Sequence, residues 1–242
     1  MNILKYKEKF KIRTYDAAYN RKASPVSILG FLEEVATNHA QKIGLGYHDS
    51  MNEGYFWVLR TSKFELTRLP ELNEEVEVAT WPAGLKGLKA LRRFSLSIDG
   101  KEIGSGFHYW LMMDSKRMKP IIANNFIEVM KEMPIKEEDS FKLNKIRNPE
   151  DLTYSYKKTI MPRDIDWNMH VNNVRYADII YNAIPIEVLN KHDILSLHID
   201  YLKECKLEDE LDIFYKKESN TIFVEGKKDT ISMFKTILKI SE

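Results

Sequence analysis

The sequence predicts an α+β fold built from two similar halves, each a long helix wrapped by a curved antiparallel sheet. The same order of elements, one strand, one long helix and then a meander of strands, occurs twice along the chain. Residues 72–78 and 207–213 align without gaps, and both carry an acidic turn before an alternating strand. Because a meander pairs neighbouring strands, each half is expected to form a curved antiparallel sheet around its helix, and two such units side by side would form one continuous sheet.

The first half begins with a strand at about 6–15, where polar and apolar residues alternate. Ser24 is a suitable N-cap and Pro25 a suitable first residue for the long helix, which Gly44 and Gly46 should end. The apolar stripe of this helix comprises Ile28, Leu29, Leu32, Val35, Ala36 and Ile43. Strands follow at about 55–68, 74–85, 88–98 and 102–113, with Asp99-Gly100 as the last hairpin turn.

The second half repeats this scheme from a strand near 154–160 and a helix near 173–189. Strands follow at about 196–204, 210–217, 221–227 and 230–240, with Lys228-Asp229 at the final turn. We therefore divide the chain into an N-terminal half at 1–133, a linker at 134–151 and a C-terminal half at 152–242. The linker is charged and is bounded by Pro134 and Pro149.

Composition excludes several classes of function. The 242 residues are 43% apolar and 30% charged, with a net charge of +1, so bulk charge does not argue for nucleic-acid or membrane binding. No apolar run approaches the roughly 20 residues of a spanning helix, and the N-terminus lacks the apolar segment of a signal peptide. A single cysteine cannot form an internal disulfide, which fits a reducing compartment. We expect a cytoplasmic protein without membrane insertion.

The polar segment at 163–176 is the strongest chemical signal in the chain. Asp166, Asn168 and His170 stand at every second position, so in an extended segment they would point into one space. Asn172 and Asn173 follow as N-caps of the next helix, whose first backbone N–H groups lack partners within the helix. An acid, an imidazole, an amide and free N–H groups are what attack on a carbonyl requires.

This segment resembles the signature of acyl-acyl-carrier-protein thioesterases, which is roughly D-x-N-x-H-V-N-N-x-x-Y. A second match lies at 201–205, which ends in Glu204-Cys205. The resemblance covers both halves and implies a tandem double hotdog fold. It also implies hydrolysis of fatty acyl thioesters of acyl carrier protein, which ends chain elongation in fatty acid biosynthesis, with no cofactor and no metal. The second half would be catalytic, because the first lacks an Asn–His pair before its helix.

The resemblance gives His170 the role of general acid or base, and Glu204 that of activating water or moving a proton. Glu204 lies near the end of a predicted strand with apolar neighbours, so burial is expected to raise its pKa. Asp166 could orient His170 or act as base or nucleophile, and Asn168 could donate to an oxyanion. Water attack and a covalent acyl intermediate both fit these residues.

Each of these side chains also has a plainer structural interpretation. His170 could cap a loop, Asp166 could form a turn, and Asn168 could sit in a local Asx turn. Glu204 could pair with Lys203 or Lys206 on the surface.

Further donors to the carbonyl are expected from the backbone N–H groups of Val171, Asn172 and Asn173.

Cys205 is expected to be structural, because strand alternation would point it away from a site that Glu204 faces. The other histidines show no metal-ligand spacing.

The acyl chain requires an apolar wall, for which Trp57, Trp81 and the first helix are the candidates in the first half. Two basic sets could steer an acidic carrier protein. They are Lys86, Lys89, Arg92 and Arg93, and Arg163, Arg175, Lys203 and Lys206.

Three other functions fit parts of the sequence. An acyl-CoA thioesterase would use the same chemistry and would need a pocket for the CoA phosphate. A hotdog hydratase would also use an aspartate and a histidine, but the form of the 166–173 segment fits a thioesterase better. A fatty-acyl-binding protein would need none of the polar set. The tandem repeat supplies the pairing that a hotdog unit needs, so a monomer is expected, or a homodimer through exposed sheet edges.

Overall fold

A computed structural model describes residues 5–132 and 144–242. In the first half, strand β1 (Tyr6–Lys11) precedes the long helix α1 (Pro25–Lys42) and the short helix α2 (Tyr47–Asn52). Four long strands follow: β2 (Tyr55–Leu66), β3 (Glu75–Lys86), β4 (Lys89–Ile98) and β5 (Lys101–Asp114). The half closes with β6 (Pro120–Ile121) and α3 (Asn124–Lys131).

The second half has the same order with shorter helices. Strand β7 (Thr153–Thr159) and a single 3₁₀ turn (Pro162–Asp164) lead to helices α4 (Arg175–Asn182) and α5 (Ile186–Leu189). The strands that follow are β8 (Ile194–Tyr201), β9 (Glu210–Glu218), β10 (Thr221–Lys228) and β11 (Ile231–Ile240). Among the described residues, none of the helices combines the length and the apolar character that a membrane span requires.

The strands of both halves form one antiparallel sheet. Ten strands follow each other in the order β1-β3-β4-β5-β2-β8-β11-β10-β9-β7, and β6 adds to β5. The halves join where β2 pairs with β8, with Thr61 opposite Asp200 and Glu65 opposite Ser196. The predicted α+β class, a tandem double hotdog with one continuous sheet, is therefore confirmed.

Helix α1 forms where its caps and apolar stripe predicted. The Ser24 hydroxyl accepts a hydrogen bond from the Ser27 amide at 3.1 Å, and Pro25 occupies the first turn. Gly44, with a φ of +70°, follows the helix end, because this conformation suits glycine. The stripe packs against the sheet and α4, in a core cluster that spans both halves. Its largest fully buried side chains include Phe64, Phe94, Phe234, Ile28 and Leu32.

The second helix is shorter than predicted. A single helix was expected near 173–189, but α4 ends at Asn182 and α5 starts at Ile186. Pro185 stands between them with a ψ of 140°, outside the helical region. A proline disfavours the helical conformation of the residue before it, which accounts for the break.

Strand β1 is also shorter than the predicted 6–15. The Asp16 carboxylate accepts a hydrogen bond from the Arg13 amide at 3.0 Å and pairs with the Arg13 guanidinium at 2.8 Å. This local turn takes the chain away from the sheet after Lys11.

Residues 134–143 of the predicted linker lie outside the described residues. The described part, 144–151, packs on the face of the sheet opposite the helices. Ile146 is buried, and its amide donates to Asp200 Oδ2 at 3.1 Å. Asn148 Nδ2 lies 3.3 Å from Glu225 Oε2. The linker therefore helps to hold the second half of the sheet.

Candidate active site

Residues 165–171 form a tight hairpin turn, not the extended segment that the alternating polar residues predicted. The two end residues pair in an antiparallel bridge. The Asp166 amide donates to the His170 carbonyl at 2.9 Å, and Met169 reverses the chain with a φ of +62°. Opposite residues of an antiparallel pair point to the same side, so the turn puts Asp166 and His170 on one face.

The Asp166 carboxylate stabilises this turn. Its Oδ1 accepts the Asn168 amide at 2.8 Å, which is the turn-forming role offered as the plainer interpretation. Asn168 is exposed at the tip, between Trp167 and Met169, which are 74% and 65% exposed. Within the described residues, no hydrogen bond joins the Asp166 carboxylate to the His170 imidazole. Asp166 therefore acts on the geometry of the loop in this structure.

His170 and Glu204 bring an imidazole and a carboxylate close together at the site. His170 Nε2 lies 3.3 Å from Glu204 Oε2, and the two side chains are 35% and 51% exposed. The Val171 amide donates to the Cys205 carbonyl at 3.0 Å, which joins the two segments one residue further along. Because that bond fixes the alignment of the segments, their neighbours His170 and Glu204 meet. The pair is open to solvent and so accessible to a substrate.

Glu204 differs from its sequence prediction in its surroundings. Strand β8 ends at Tyr201, so Glu204 lies in the loop after the strand and not within it. Half of its side chain is exposed, so the apolar environment expected to desolvate the carboxylate is absent. In the described part of the chain, Glu204 makes no ion pair with Lys203 or Lys206, which was the surface alternative.

Asp164 supports the loop and was not singled out in the sequence. Its Oδ2 accepts the Met161 amide at 2.8 Å and lies 2.6 Å from Lys158 Nζ. Its carbonyl accepts the Asn172 amide at 2.8 Å. The available signal was Pro162 followed two residues later by an aspartate, a pattern of a short capped turn.

Two of the three predicted backbone donors are already occupied. The amides of Val171 and Asn172 donate to the carbonyls of Cys205 and Asp164, so neither points freely toward a substrate. Among the described residues, the Asn173 amide has no such carbonyl partner, and it stays the candidate donor.

The helix cap also differs from the prediction. Asn172 Oδ1 accepts the Val174 amide at 2.9 Å, and Val174 itself takes the N-cap position of α4. Asn173 therefore does not cap the helix with its side chain.

Cys205 is buried completely, as its predicted structural role requires. Burial raises the pKa of its thiol to about 11, which keeps it protonated near neutral pH. The thiol lies beside Tyr176 of α4.

The two predicted tryptophans lie on different faces of the sheet. Trp57 packs edge-on to Trp110 and Phe126 in a cluster near the end of α1, and its indole donates to the Leu45 carbonyl at 3.0 Å. Trp81 alternates with the fully buried Thr80 and so lies on the face away from α1. The Lys5 ammonium lies 4.3 Å from its ring centroid. Trp81 therefore cannot line a space between α1 and the sheet.

Arg92 does not belong to a surface patch. It shares the helix-facing side of β4 with Phe94 and is only 9% exposed. Its Nη1 lies 3.0 Å from Nδ1 of His39 on α1. Arg92 is therefore removed from the predicted basic set, whereas Lys86 and Lys89 are exposed as expected.

Over residues 5–132 and 144–242, no three His, Cys, Asp or Glu side chains group as a metal would require.

Comparison with known proteins covers both halves. Residues 3–130 match the sequence model of the acyl-ACP thioesterase N-terminal domain, and residues 145–240 match that of the C-terminal domain. A solved acyl-ACP thioesterase from Bacteroides thetaiotaomicron has a TM-score of 0.83 at 24% identity and covers 98% of both chains. At that identity, the likeness concerns the fold alone.

Two curated plant proteins are similar in sequence. The chain is 30% identical over 227 residues to oleoyl-acyl carrier protein thioesterase 1, chloroplastic, of Arabidopsis thaliana, across 86% of this chain and 63% of that protein. It is 32% identical over 231 residues to palmitoyl-acyl carrier protein thioesterase, chloroplastic, of Cuphea hookeriana, across 86% and 54%. The chain thus spans less than two thirds of the length of these relatives.

Proposed function

This chain belongs to the acyl-ACP thioesterase family, and from that premise we propose that it hydrolyses fatty acyl thioesters of acyl carrier protein. The observation that carries the proposal is the His170–Glu204 pair, 3.3 Å apart and open to solvent. A binding protein for alkyl chains would need neither group. The products are a free fatty acid and the carrier thiol.

In the proposed reaction, the thioester carbonyl lies near the start of α4. The Asn173 amide and the exposed Asn168 side chain are the donors that would stabilise the oxyanion. Water attacks the carbonyl carbon while the His170–Glu204 pair takes its proton. The carbon–sulfur bond then breaks, and the proton passes from the pair to the departing thiolate.

The surface beside this pair suits an acidic carrier protein. Arg163, Lys203 and Lys206 are exposed around the loop, and positive charges raise the encounter rate with an acidic partner. Trp167 and Met169 add exposed apolar area at the tip. We propose that the carrier docks on this side of the second half.

We propose cytoplasmic action, in keeping with the single cysteine, Cys205, which is free and buried. The pairing of β2 with β8 supplies within one chain the partner that a hotdog unit needs, so one chain suffices for a site. A homodimer through the sheet edges at β1 and β7 is the alternative, and light scattering separates the two.

The first test is release of free thiol from acyl-acyl-carrier-protein by the wild type, His170→Ala and Glu204→Gln. Each substitution should lower kcat by roughly 10²–10⁴-fold, the usual contribution of a positioned acid or base. His48→Ala is the matched control, because His48 is exposed on α2 and does not belong to the motif. It should keep full activity.

Other outcomes would change the proposal in defined ways. Turnover of acyl-CoA but of no carrier-protein substrate would reject the carrier as partner. Turnover that survives both substitutions would keep the reaction class and reject these residues. Single turnover in heavy-oxygen water distinguishes the two routes, because label in an enzyme carboxylate requires a covalent intermediate.

A further inference from the structure

Arg60 is a charged side chain at a bulge in strand β2, the strand of the first half that borders the second. Leu59 and Thr61 pair with consecutive residues of β5, so Arg60 has no opposite residue there. A bulge changes the direction of the extra side chain, and bulges are common beside active sites. The Arg60 guanidinium crosses to the second half, where its Nη1 donates to the Leu202 carbonyl at 3.2 Å. That carbonyl lies just before Glu204 in the chain.

The segment that carries Glu204 is tied to its surroundings at both ends. At its start, the amides of Leu202 and Lys203 donate to one carbonyl of β11 at 2.9 and 3.0 Å, and Arg60 binds the Leu202 carbonyl. At its end, the Cys205 carbonyl accepts the amide of the histidine-bearing turn at 3.0 Å. The position of the Glu204 side chain therefore depends on bonds at both ends, and one of these comes from the other half of the molecule.

The first half has the same backbone arrangement without the imidazole and the carboxylate. The antiparallel bridge between Ala17 and Ala23 corresponds to the bridge that closes the proposed active-site turn. The Ala23 amide donates to the Pro70 carbonyl at 2.8 Å, which corresponds to the bond that aligns the catalytic segments. Lys22 and Leu69 therefore take the places of the imidazole and the carboxylate.

The two halves also share the bulge, but not its side chain. When the gap-free alignment of the two acidic turns is continued back into the preceding strands, Arg60 corresponds to Leu195. Ile194 and Ser196 pair with consecutive residues of β11, so Leu195 is a bulged residue as well. Its side chain packs against the core. The arginine thus stands at the bulge that contacts the carboxylate segment, and the corresponding bulge in the second half carries a leucine.

We propose that Arg60 is a positioning residue, which holds Glu204 against His170 from the other half of the molecule. Hydrogen bonds from a charged donor are stronger than those between neutral groups, so a guanidinium suits this task. Displacing a reacting group by about 1 Å can cost roughly 10²-fold in rate. The first half therefore contributes to the geometry of the acid–base pair without supplying a reacting group. This inference rests on the proposed thioesterase function.

The test measures kcat and KM for thiol release from acyl-acyl-carrier-protein. Arg60→Met should lower kcat by roughly 10–10²-fold with little change in KM, because a displaced carboxylate impairs the chemical step more than substrate binding. Arg60→Lys keeps a charged donor and should recover most of the loss. Leu195→Met is the matched control, because it places the same side chain at the corresponding bulge and conserves volume. It should keep full activity.

A double-mutant cycle measures whether Arg60 acts through Glu204. Once Glu204→Gln has removed the carboxylate, adding Arg60→Met should lower kcat no further. A merely structural role of Arg60 would multiply the two losses. Multiplied losses, an unchanged kcat in Arg60→Met, or an equal loss in Leu195→Met would overturn the inference. Arg60→Gln, which is shorter and uncharged, takes the place of Arg60→Met in the cycle if the latter does not fold.

Amide hydrogen exchange tests the same contact without turnover. Arg60→Met should speed exchange of the Leu202 and Lys203 amides by about tenfold, as the loss of one bond from a charged donor allows. Leu195→Met should leave these rates unchanged. If the wild type turns over no thioester, the proposed function fails, and exchange still decides whether Arg60 holds this segment. Equal rates in the two variants would reject the inference.

Discussion

Glu33 and His108 limit stability from opposite ends of the pH scale. Burial raises the pKa of Glu33 to about 8, so the folded state resists its ionisation. Burial, helped by the charge of Arg92, lowers the pKa of His108 to about 3, so the folded state resists protonation of this ring. In each case the charged form of the side chain destabilises the folded state relative to the unfolded chain.

The free energy of unfolding depends on pH through the ionisation of Glu33. The unfolded chain releases this proton at the ordinary value and the folded chain only near pH 8, so stability falls as pH rises between these values. Glu33→Gln cannot ionise and should lose that fall. We expect the variant to be more stable than the wild type at pH 9 by a few kcal/mol, and similar to it near pH 4.

Denaturant unfolding at both pH values measures this difference. A gain of the same size at both values would contradict the assignment of the effect to ionisation.

Strands β10 and β11 meet at a contact that only glycine allows. Gly226 lies opposite Phe234, and a Cβ added there would stand 2.1 Å from Cε1 of that ring. The ring is fully buried and cannot move aside without disturbing the core. The register of the two strands shifts directly after this residue.

Gly226→Ala should destabilise the protein by about 1–3 kcal/mol, the usual cost of forcing atoms into a packed core. The matched control is Gly30→Ala, where the new methyl group meets nothing within 4 Å. Inside a helix that change should stabilise by about 0.5–1 kcal/mol. Thermal unfolding of both variants measures the contrast, and similar shifts in Tm would refute the steric account.

The seam between the two halves depends on one buried carboxylate. Asp200 of β8 accepts the Thr61 hydroxyl of β2 at 2.8 Å and the Ile146 amide of the linker at 3.1 Å. Burial alone would raise the pKa of Asp200, but His198, the Ile146 amide and Thr61 together lower it. One side chain therefore ties both halves and the linker together.

Asp200→Ala should lower the free energy of unfolding by roughly 2–4 kcal/mol, because it leaves buried donors without an acceptor. Glu65→Gln is the control in the same seam, since its side chain is 67% exposed. It should change stability by less than about 0.5 kcal/mol. A loss in Asp200→Ala no larger than in the control would show that the main-chain pairing alone holds the seam.

The Asp200 carboxylate should stabilise this contact only while it is ionised. A depressed pKa contributes stability above the ordinary value, and this is lost as pH falls through the folded value. The destabilisation by Asp200→Ala should therefore shrink in strong acid.

The sequence by itself determined the repeated order of strand, helix and meander, and the start of α1 at Ser24-Pro25. These features depend on hydrophobic periodicity and on helix-capping residues, both of which are encoded within short segments of the chain. It also identified the polar segment around His170 and predicted a structural role for Cys205, which is buried. The end of α4 at Asn182 differs from the prediction, because Pro185 interrupts the helix although the apolar pattern continues past it.

Only the tertiary structure decided which distant segments meet. His170 and Glu204 come together because the Val171 amide donates a hydrogen bond to the Cys205 carbonyl. The segment around Glu204 is a loop, although the alternating pattern predicted a strand there. In the folded sheet, Arg92 lies on the face toward α1 and Trp81 on the opposite face. Such contacts depend on sheet register and chain reversal over long separations, and local residue patterns do not encode them.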